Sequence, residues 1–317
     1  MHETMDGYVT VIGGTNIDIA ATLTASFVPA DSVPGQVSLG CGGVARNIAH
    51  NLQLMGHQVR LVSVFGDETF GNICWRECQE IGLDLTLSER CKDMRTGMYL
   101  CINDQTGDMI AAVADTDIVA RVTPEFLEAR IDDINNSSLV IADTNISAEA
   151  LQYLVDNSTV PLMVDAVSTA KASRVTKALL QSHTHRLDAV KFNWQEAQAV
   201  THCDTVESAA DYLIGMGVGH VYVTLGSNGV YCSDGVHQEH FKAIPAMVAN
   251  TTGAGDAFVA GVAHARLSGT TFPRCTLMGL KAAHAALLSP QTVNPDVGRY
   301  CSEVAKQQSG KSEHMSL

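Results

Sequence analysis

The sequence contains few positively charged residues, which argues against a nucleic-acid-binding protein. Only 17% of its 317 residues are charged, and 20 Lys and Arg stand against 34 Asp and Glu, which gives a net charge of −14. Because nucleic-acid phosphates attract clustered Lys and Arg, we expect no nucleic-acid partner. No apolar run approaches the eighteen or so residues of a membrane span, so we expect no membrane partner either.

The sequence also lacks the marks of a secreted protein. Its first residues, Met1 to Asp6, contain neither the basic nor the apolar region of a signal peptide. The nine cysteines are odd in number and scattered, and the pair Cys74 and Cys78 has no second pair at zinc-finger spacing. Reduced thiols are therefore favoured over disulfides or structural zinc, and we expect a cytoplasmic location.

Two common nucleotide-binding motifs are missing. No Walker A pattern occurs anywhere in the chain. Gly13 and Gly14 follow the first predicted strand, but they lack the third glycine that a dinucleotide site requires. The sequence therefore argues against a P-loop enzyme and against a dehydrogenase.

What is present is a regular alternation of helical and strand patterns. Apolar residues make up 46% of the chain, which suits a folded protein. Strands separated by helices form right-handed βαβ units and a parallel sheet, whose ligands bind at the carboxyl ends of the strands. The pattern predicts strands over 8–12, 58–65, 138–142, 160–164, 188–192 and 220–225, with helices over 44–55, 123–134, 147–156, 170–182, 194–201, 206–216, 254–268 and 273–288.

A second group of strands interrupts this alternation. The segments 16–24, 36–40, 97–102 and 108–113 have strand patterns, and a turn-rich segment joins the last two. We expect them to form a small antiparallel sheet that covers a cleft as a lid, drawn from roughly 15–40 and 84–115. The chain is otherwise interpreted as one α/β domain over 1–317, with a disordered tail at 302–317.

The most informative motif is a glycine-rich helix start near the carboxyl end, Thr252-Gly253-Ala254-Gly255-Asp256. Its glycines let the backbone approach a ligand closely. The unpaired N–H groups of a first helical turn, together with the helix dipole, favour anionic oxygens. Asp256 could act there as a base, or it could do no more than offset the dipole.

Further polar residues follow predicted strands or open predicted helices. Asn16 and Asp18 point to the same side of an extended chain, where they could hold sugar hydroxyls or face solvent. Asn47 follows Gly42-Gly43 in a second glycine-rich helix start, where its side chain could contact a ligand or face solvent. Other polar residues that we expect at the carboxyl edge of the sheet are Asp143, Asn145, Asp165, Lys171, Asn193 and Glu196. Asp143 and Asn145 could equally be helix caps.

Taken in order, these motifs resemble those of the ribokinase-like (PfkB) carbohydrate kinases. Gly42-Gly43-(three residues)-Asn47 and Thr252 to Asp256 are similar to the two family signatures. Further matches are Asn16-x-Asp18, Asn193-x-x-Glu196 and Thr224-x-Gly226-x-x-Gly229. The resemblance runs from Tyr8 to Asp296 and implies a three-layer αβα domain with a mainly parallel sheet.

The resemblance implies phosphorylation of a hydroxyl group by ATP and Mg²⁺. Segments around Arg46, Asn145 and Lys171 resemble a subgroup that acts on a nucleoside. Another nucleoside or a sugar such as ribose or fructose is the alternative substrate. A relative that binds a metabolite without catalysis is a third possibility.

The resemblance also implies a role for each matching residue. Asp256 would be the base, and the N–H groups of Gly253, Ala254 and Gly255 would stabilise the transferred phosphoryl group. The implied substrate-binding residues are Asn16, Asp18, Gly42, Gly43, Asn47 and Lys171, although Lys171 could instead reach the triphosphate. The implied nucleotide-binding residues are Thr224, Gly226, Gly229 and Thr252, with Asn193 and Glu196 organising Mg²⁺ through water.

One residue departs from the family pattern. Asn250 occupies a position where family members activated by a monovalent cation carry Asp. A neutral amide attracts a cation less strongly, so a requirement for K⁺ is in doubt. The expected partners are ATP, a small nucleoside or sugar and, through the lid, a second copy of the chain.

Overall fold

The β-branched run Val9–Ile12 forms a buried strand, as predicted, and the main sheet extends from both of its edges. The protein is described here by a computed structural model covering residues 7–302. The predicted tail at 302–317 lies outside the described residues, apart from Ser302. The strands are Val9–Ile12 (β1), Asn16–Leu23 (β2), Gly35–Gly42 (β3), Val59–Val62 (β4), Val64–Gly66 (β5), Glu89–Cys91 (β6), Gly97–Asn103 (β7), Met109–Asp115 (β8), Leu139–Asp143 (β9), Leu162–Asp165 (β10), Leu187–Asn193 (β11), Val218–Thr224 (β12), Val230–Ser233 (β13) and Gln238–Phe241 (β14).

Within residues 7–302, ten α-helices with defined bounds connect or cover these strands, and residues 297–302 are helical as well. The ten helices are Val44–Leu54 (α1), Thr69–Glu80 (α2), Pro124–Glu128 (α3), Ile131–Asn135 (α4), Ala148–Asn157 (α5), Thr169–Gln181 (α6), Trp194–Thr201 (α7), Val206–Gly215 (α8), Ala254–Leu267 (α9) and Cys275–Leu287 (α10). Short 3₁₀ helices span Asp117–Arg121 and Gly226–Asn228. Among these residues no helix is both long and apolar enough to cross a membrane.

The main sheet has eight strands in the order β14-β13-β12-β11-β10-β9-β1-β4. The strands from β4 to β12 are parallel, and β13 and β14 add an antiparallel edge. Alternate residues of β9 point to opposite faces, so Ile141 packs with α1 and α9 while Val140 packs with α5 and α6. The predicted three-layer α/β arrangement with a mainly parallel sheet is confirmed.

The small sheet has four strands in the order β3-β2-β7-β8, drawn from two separate segments. It is mixed rather than antiparallel, because β2 pairs with β7 in parallel. A tight turn forces antiparallel pairing, but α2 and the strands beside it intervene between β2 and β7, and a long connection allows the parallel arrangement. Residues 84–96 lie outside this sheet; β6 within them pairs with β5.

Two predicted elements are interrupted. The predicted strand 58–65 breaks at Ser63, whose hydroxyl donates to the Gly13 carbonyl and whose N–H donates to Ser88 Oγ. The predicted helix 123–134 divides into α3 and α4 at Arg130. The Arg130 guanidinium occupies the Phe126 carbonyl, which a continuous helix would offer to the Arg130 N–H.

Helices α9 and α10 approach each other closely where both carry glycine. A Cβ atom added at Gly261 would lie 2.6 Å from the Met278 carbonyl oxygen, and one at Gly279 would lie 2.7 Å from the Phe258 ring. Since Phe258 belongs to the core between α9 and the sheet, this contact fixes the position of α9.

We expect Gly261→Ala to lower the free energy of unfolding by about 1–3 kcal/mol, because the added methyl group overpacks the contact between α9 and α10. Gly215 in α8 is the matched control, since a Cβ there meets no atom within 4 Å. Gly215→Ala should raise the free energy of unfolding by up to about 1 kcal/mol through helix propensity. Urea denaturation measures both, and equal stability of the two variants would contradict the packing argument.

Candidate active site

The carboxyl edge of the main sheet brings polar side chains from neighbouring strands together. The register pairs Asp143 with Asp165, and Asp165 with Lys191. One strand further, Asn193 pairs with Thr224. Residues that are far apart in the sequence therefore lie side by side at the edge where parallel sheets bind ligands.

Helices α1 and α9 begin at this edge, each at a glycine with a positive φ. The φ of Gly43 is 100°, and that of Gly253 is 82°. A Cβ atom would lie 2.3 Å from the Gly14 carbonyl oxygen at the first position and 2.2 Å from the Thr292 carbonyl oxygen at the second. Only glycine fits either position. At the α1 start the Ala45 N–H already donates to the Asp143 carboxylate, whereas no described side chain caps the α9 start, which leaves first-turn N–H groups of α9 available to anionic oxygens.

A buried hydrogen bond joins these two helix starts. Asn47 Nδ2 donates to Asp256 Oδ2 at 2.9 Å, between residues that are 209 positions apart. Both side chains are almost fully buried. The structure thus brings together Asn47 and Asp256, which the sequence singled out separately.

Asp256 has the electrostatic surroundings of a proton acceptor. Its pKa is raised from 3.8 to about 7, first by burial and next by the negative charge of Asp165; the Asn47 hydrogen bond and the Lys191 ammonium oppose the rise. More distant Asp143 raises it slightly further. A carboxylate with a pKa near neutrality can both accept and release a proton at physiological pH.

Lys191 is a buried cation that the sequence interpretation missed. Its Nζ lies 3.3 Å from Asp165 Oδ1, and it would lie 3.1 Å from a Cβ atom added at Gly255. The ammonium group therefore stands beside the backbone of the α9 start. The available signal was a lysine within the apolar strand Ala189–Phe192, because lysine is rarely buried unless it is paired.

The predicted pair Asn16 and Asp18 lies on β2 at the junction of the two sheets. Asn16 Nδ2 donates to Asp18 Oδ1 at 2.5 Å, and burial raises the pKa of Asp18. A Cβ atom added at Gly42 would lie 2.0 Å from Asp18 Oδ2, so the glycine makes room for the carboxylate. Because β3 ends at Gly42 and α1 begins at Val44, these groups adjoin the α1 start.

Asp143 does not cap α5, the helix that follows it, but contacts the start of α1. Its carboxylate accepts hydrogen bonds from the N–H groups of Gly14, at 3.0 Å, and Ala45, at 2.8 Å. It thereby fixes the turn after β1 against the start of α1. Ser147, not Asp143 or Asn145, caps helix α5.

Lys171 and Asn145 contact each other beside this turn. Lys171 Nζ donates to Asn145 Oδ1 at 2.6 Å, and burial lowers the pKa of the half-buried Lys171. Asn145 also faces the backbone near Gly14, since a Cβ atom added there would lie 2.9 Å from Asn145 Nδ2. Asn145 therefore lies beside Gly14, two residues before Asn16, and Lys171 contacts it there.

Asn193 and Glu196 form a capping box at the start of α7. The Asn193 side chain accepts from the Glu196 N–H, and both Glu196 carboxylate oxygens accept from Asn193. Over residues 7–302 no group of three or more His, Cys, Asp or Glu side chains could hold a metal. Asp165 Oδ2 is buried and accepts no hydrogen bond from a described residue. The donor set suits Mg²⁺ held mainly by water and by ligand oxygens, which this ion prefers.

The predicted nucleotide-binding residues lie at the two turns beyond this capping box. Gly226 and Gly229, with φ of 59° and 99°, form the turn between β12 and β13, directly after Thr224. Asn250 organises the other turn: its Oδ1 accepts from the Thr252 N–H at 2.9 Å, and its Nδ2 donates to the Pro290 carbonyl at 3.3 Å. Both ends of the Asn250 amide are therefore engaged within the protein.

Comparison with known proteins identifies related chains. Residues 6–297 match the family described as pfkB family carbohydrate kinase. Pseudouridine kinase of Escherichia coli strain K12 is 33% identical over 292 residues, 92% of this chain and 93% of that protein. An uncharacterised sugar kinase of the same strain is 31% identical over 294 residues, 91% of this chain and 80% of that protein.

A solved structure supports the same fold. Arabidopsis thaliana ribokinase complexed with ribose and ATP matches with a TM-score of 0.80 at 19% identity, over 95% of this chain and 99% of that one. At this identity the likeness concerns the fold alone. The expected ribokinase-like fold is confirmed.

Asp256→Asn should stabilise the protein, and more so at high pH. An acid whose folded pKa is raised loses stability as pH rises from its ordinary pKa, 3.8, to its folded pKa, about 7. Asn cannot ionise, so we expect its gain in free energy of unfolding to be about 2 kcal/mol greater at pH 8 than at pH 5. Urea denaturation at both pH values measures this. The exposed Asp31→Asn is the control, and an equal gain at both pH values for Asp256→Asn would be the contrary result.

Proposed function

Because the chain belongs to the pfkB family of carbohydrate kinases, we propose that it transfers the γ-phosphoryl group of ATP to the ribose 5′-hydroxyl of pseudouridine. The products are pseudouridine 5′-phosphate and ADP. Kinases of this family are ATP-dependent and phosphorylate hydroxyl groups of sugars or nucleosides, and this chain is one of them. The choice of pseudouridine is the part that is proposed.

The observation that carries the mechanism is the buried Asp256 at the start of α9, with a pKa raised to about 7. Asp256 takes the proton of the attacking hydroxyl, which becomes more nucleophilic as the bond to phosphorus forms. The N–H groups of Gly253, Ala254 and Gly255 face the transferred phosphoryl and stabilise its charge. Acid–base help of this kind contributes roughly 10²–10⁴-fold to the rate.

The acceptor is held on the other side of Asp256. Asn16 and Asp18 bind ribose hydroxyls, and Asn47 does the same while it donates to Asp256. Gly42 and Gly43 let the Asp18 carboxylate and the Gly14 carbonyl approach the α1 start, beside which the sugar would bind. Fixing the hydroxyl against a positioned base lowers the entropic part of the barrier.

ATP lies along the turns at Thr224, Gly226, Gly229 and Thr252 in this proposal. Mg²⁺, which family members use with ATP, supplies charge neutralisation on the phosphates when bound. Asn193 and Glu196 would hold it through water, since Glu196 is already engaged in the capping box. Lys191 adds a fixed positive charge beside Gly255.

Two observations favour a nucleoside as acceptor. Similarity to a pseudouridine kinase covers more than nine-tenths of both chains. Lys171 and Asn145 also form a paired donor and acceptor beyond the Asn16 side of the cleft, where a base attached to the ribose would reach. A sugar acceptor is the second candidate, because a sugar kinase is 31% identical.

A panel of acceptors tests the substrate. We expect ADP release with ATP and Mg²⁺ to be fastest with pseudouridine, and at least about tenfold slower with uridine, other nucleosides, ribose and fructose. Asp256→Asn is the control, with turnover lowered by roughly 10²–10⁴-fold and nucleotide binding retained. Equal rates with uridine would contradict the substrate, near-native turnover of Asp256→Asn would contradict the base, and ligand binding without any ADP release would indicate a non-catalytic relative.

The same assay tests the monovalent cation. Because both ends of the Asn250 amide are engaged by Thr252 and Pro290, we propose that the site does not need K⁺. Replacing Na⁺ by K⁺ at equal ionic strength should change the rate by less than about twofold. A large activation by K⁺ would contradict this.

We also propose that two copies associate through the small sheet. Leu39, Leu100 and Val113 are exposed and lie in one cross-strand row with the half-buried Ile19 of β2, on the face opposite Asp18. An apolar row of this kind is typical of an interface.

A cytoplasmic location suits the use of ATP and the free thiols of all nine cysteines, and cell fractionation would test it.

Sedimentation velocity tests the association. We expect the wild-type protein to be a dimer at micromolar concentration and Val113→Lys to be a monomer, because a charge would be buried at the interface. Leu180→Lys is the matched control, an equally exposed apolar residue on α6 and outside the small sheet. A monomeric wild type, or a dimeric Val113→Lys, would contradict the interface.

A further inference from the structure

A continuous chain of hydrogen bonds leads from helix α2 to Asp256. Arg46 Nη2 donates to Glu77 Oε1 at 2.5 Å, and Arg46 Nη1 donates to Asn47 Oδ1 at 3.3 Å. Asn47 Nδ2 then donates to Asp256 Oδ2 at 2.9 Å. Arg46 itself is 4% exposed, so water does not compete for its charge.

The two neighbours of Asn47 select one orientation of its amide. A guanidinium can only donate hydrogen bonds, and an ionised carboxylate can only accept them. Arg46 therefore requires Oδ1 on its side, and Asp256 requires Nδ2 on the other. A flipped amide would set NH₂ against the guanidinium and an oxygen against the carboxylate, which is unfavourable at both ends.

Among residues 7–302, Arg46 is the side chain that donates to the Asn47 amide oxygen, so the orientation depends on it. The Asn51 side chain also donates to Asn47, but to its backbone carbonyl and not to its side chain. The charge of Arg46 acts on nearby groups: burial raises the pKa of Asp18 and Arg46 opposes that rise, while burial and then Arg46 lower the pKa of His50 to about 4. Glu77 on α2 holds the guanidinium in place.

We propose that Arg46 is a positioning residue for the base of the reaction: by fixing the amide of Asn47, it keeps a hydrogen-bond donor directed at Asp256. Arg46 touches neither the hydroxyl nor the phosphoryl group and acts through Asn47. The inference rests on the proposed kinase mechanism, in which Asp256 must be ionised and aimed at the acceptor. Glu77 supports the arrangement from α2.

A double-mutant cycle in kcat tests whether Arg46 acts through Asn47. We expect Arg46→Met to lower kcat by about tenfold, and Asn47→Ala by at least as much. In the Asn47→Ala background, Arg46→Met should have almost no further effect, because the amide that it orients is gone. Effects that multiply in the double variant would overturn the proposal and leave Arg46 with a separate structural role.

Two further variants separate positioning from general stability. Arg46→Lys keeps a buried donor for Asn47 Oδ1 and should recover most of the lost kcat. Arg60→Met is the matched control. It removes the half-buried ion pair between Asp84 and Arg60, which lies on β4 and away from the site, and it should leave kcat within about twofold. No recovery with Arg46→Lys, or an equal loss with Arg60→Met, would contradict the proposal.

The ionisation of Asp256 can be measured without an activity assay. The groups that face Asp256 are Asn47 on α1, Lys191 on β11, Asp165 on β10 and Asp143 on β9. The Asn47 hydrogen bond lowers the pKa of Asp256, so loss of that hydrogen bond should raise the pKa. Both Arg46→Met and Asn47→Ala should therefore move the titration midpoint of Asp256 to higher pH.

Carbon-13 NMR of the Asp256 carboxyl measures that midpoint, with Asp256→Asn identifying the signal. The acidic limb of kcat/KM should move in the same direction. A wild type that transfers no phosphoryl group to any acceptor would contradict the proposed function, whereas the carboxyl titration would still decide the role of Arg46. An unchanged titration midpoint of Asp256 in Arg46→Met would overturn the positioning role of Arg46.

Discussion

The site depends on one constraint: two helix starts, 209 residues apart, must meet at the carboxyl edge of the sheet. Each begins at a glycine that no other residue could replace, Gly43 in α1 and Gly253 in α9. Asp143 holds the first start against β1, and Asn47 connects it to Asp256 in the second. Burial of Asp256 costs stability when it is ionised, and the same burial brings its pKa into the range useful to a base.

Both sheets contribute polar residues to the candidate site. β2 carries Asn16 and Asp18 out of the main domain, so the polar residues beside the α1 start also belong to the four-stranded sheet. One face of that sheet presents Asp18, and the other presents the exposed apolar row that includes Leu39. Movement of the sheet would therefore move the Asn16 and Asp18 side chains with it.

The sequence predicts those features that depend on local spacing. The alternation of strands and helices indicates the parallel sheet, and the glycine pairs indicate the starts of α1 and α9. Contacts between distant segments could not be predicted from local spacing. The parallel pairing of β2 with β7 depends on the register of the strands, and so do the hydrogen bonds that Asp143 accepts from Gly14 and Ala45. Lys191 was overlooked because its partners come from other strands, and the break at Arg130 because a side chain there takes a backbone carbonyl.

The order of strands in the main sheet has a consequence for how the protein is made. After β1 and β4 have paired, the strands from β9 to β14 join the other edge of β1 one after another in chain order. The pairing of β9 with β1 closes a long segment, but each later addition, from β10 to β14, closes only a short one, which favours rapid folding as the chain emerges from the ribosome. Helix α9 arrives afterwards and must return to α1. A nascent chain that stops before Gly253 therefore contains every strand of the main sheet but lacks Asp256, the proposed base.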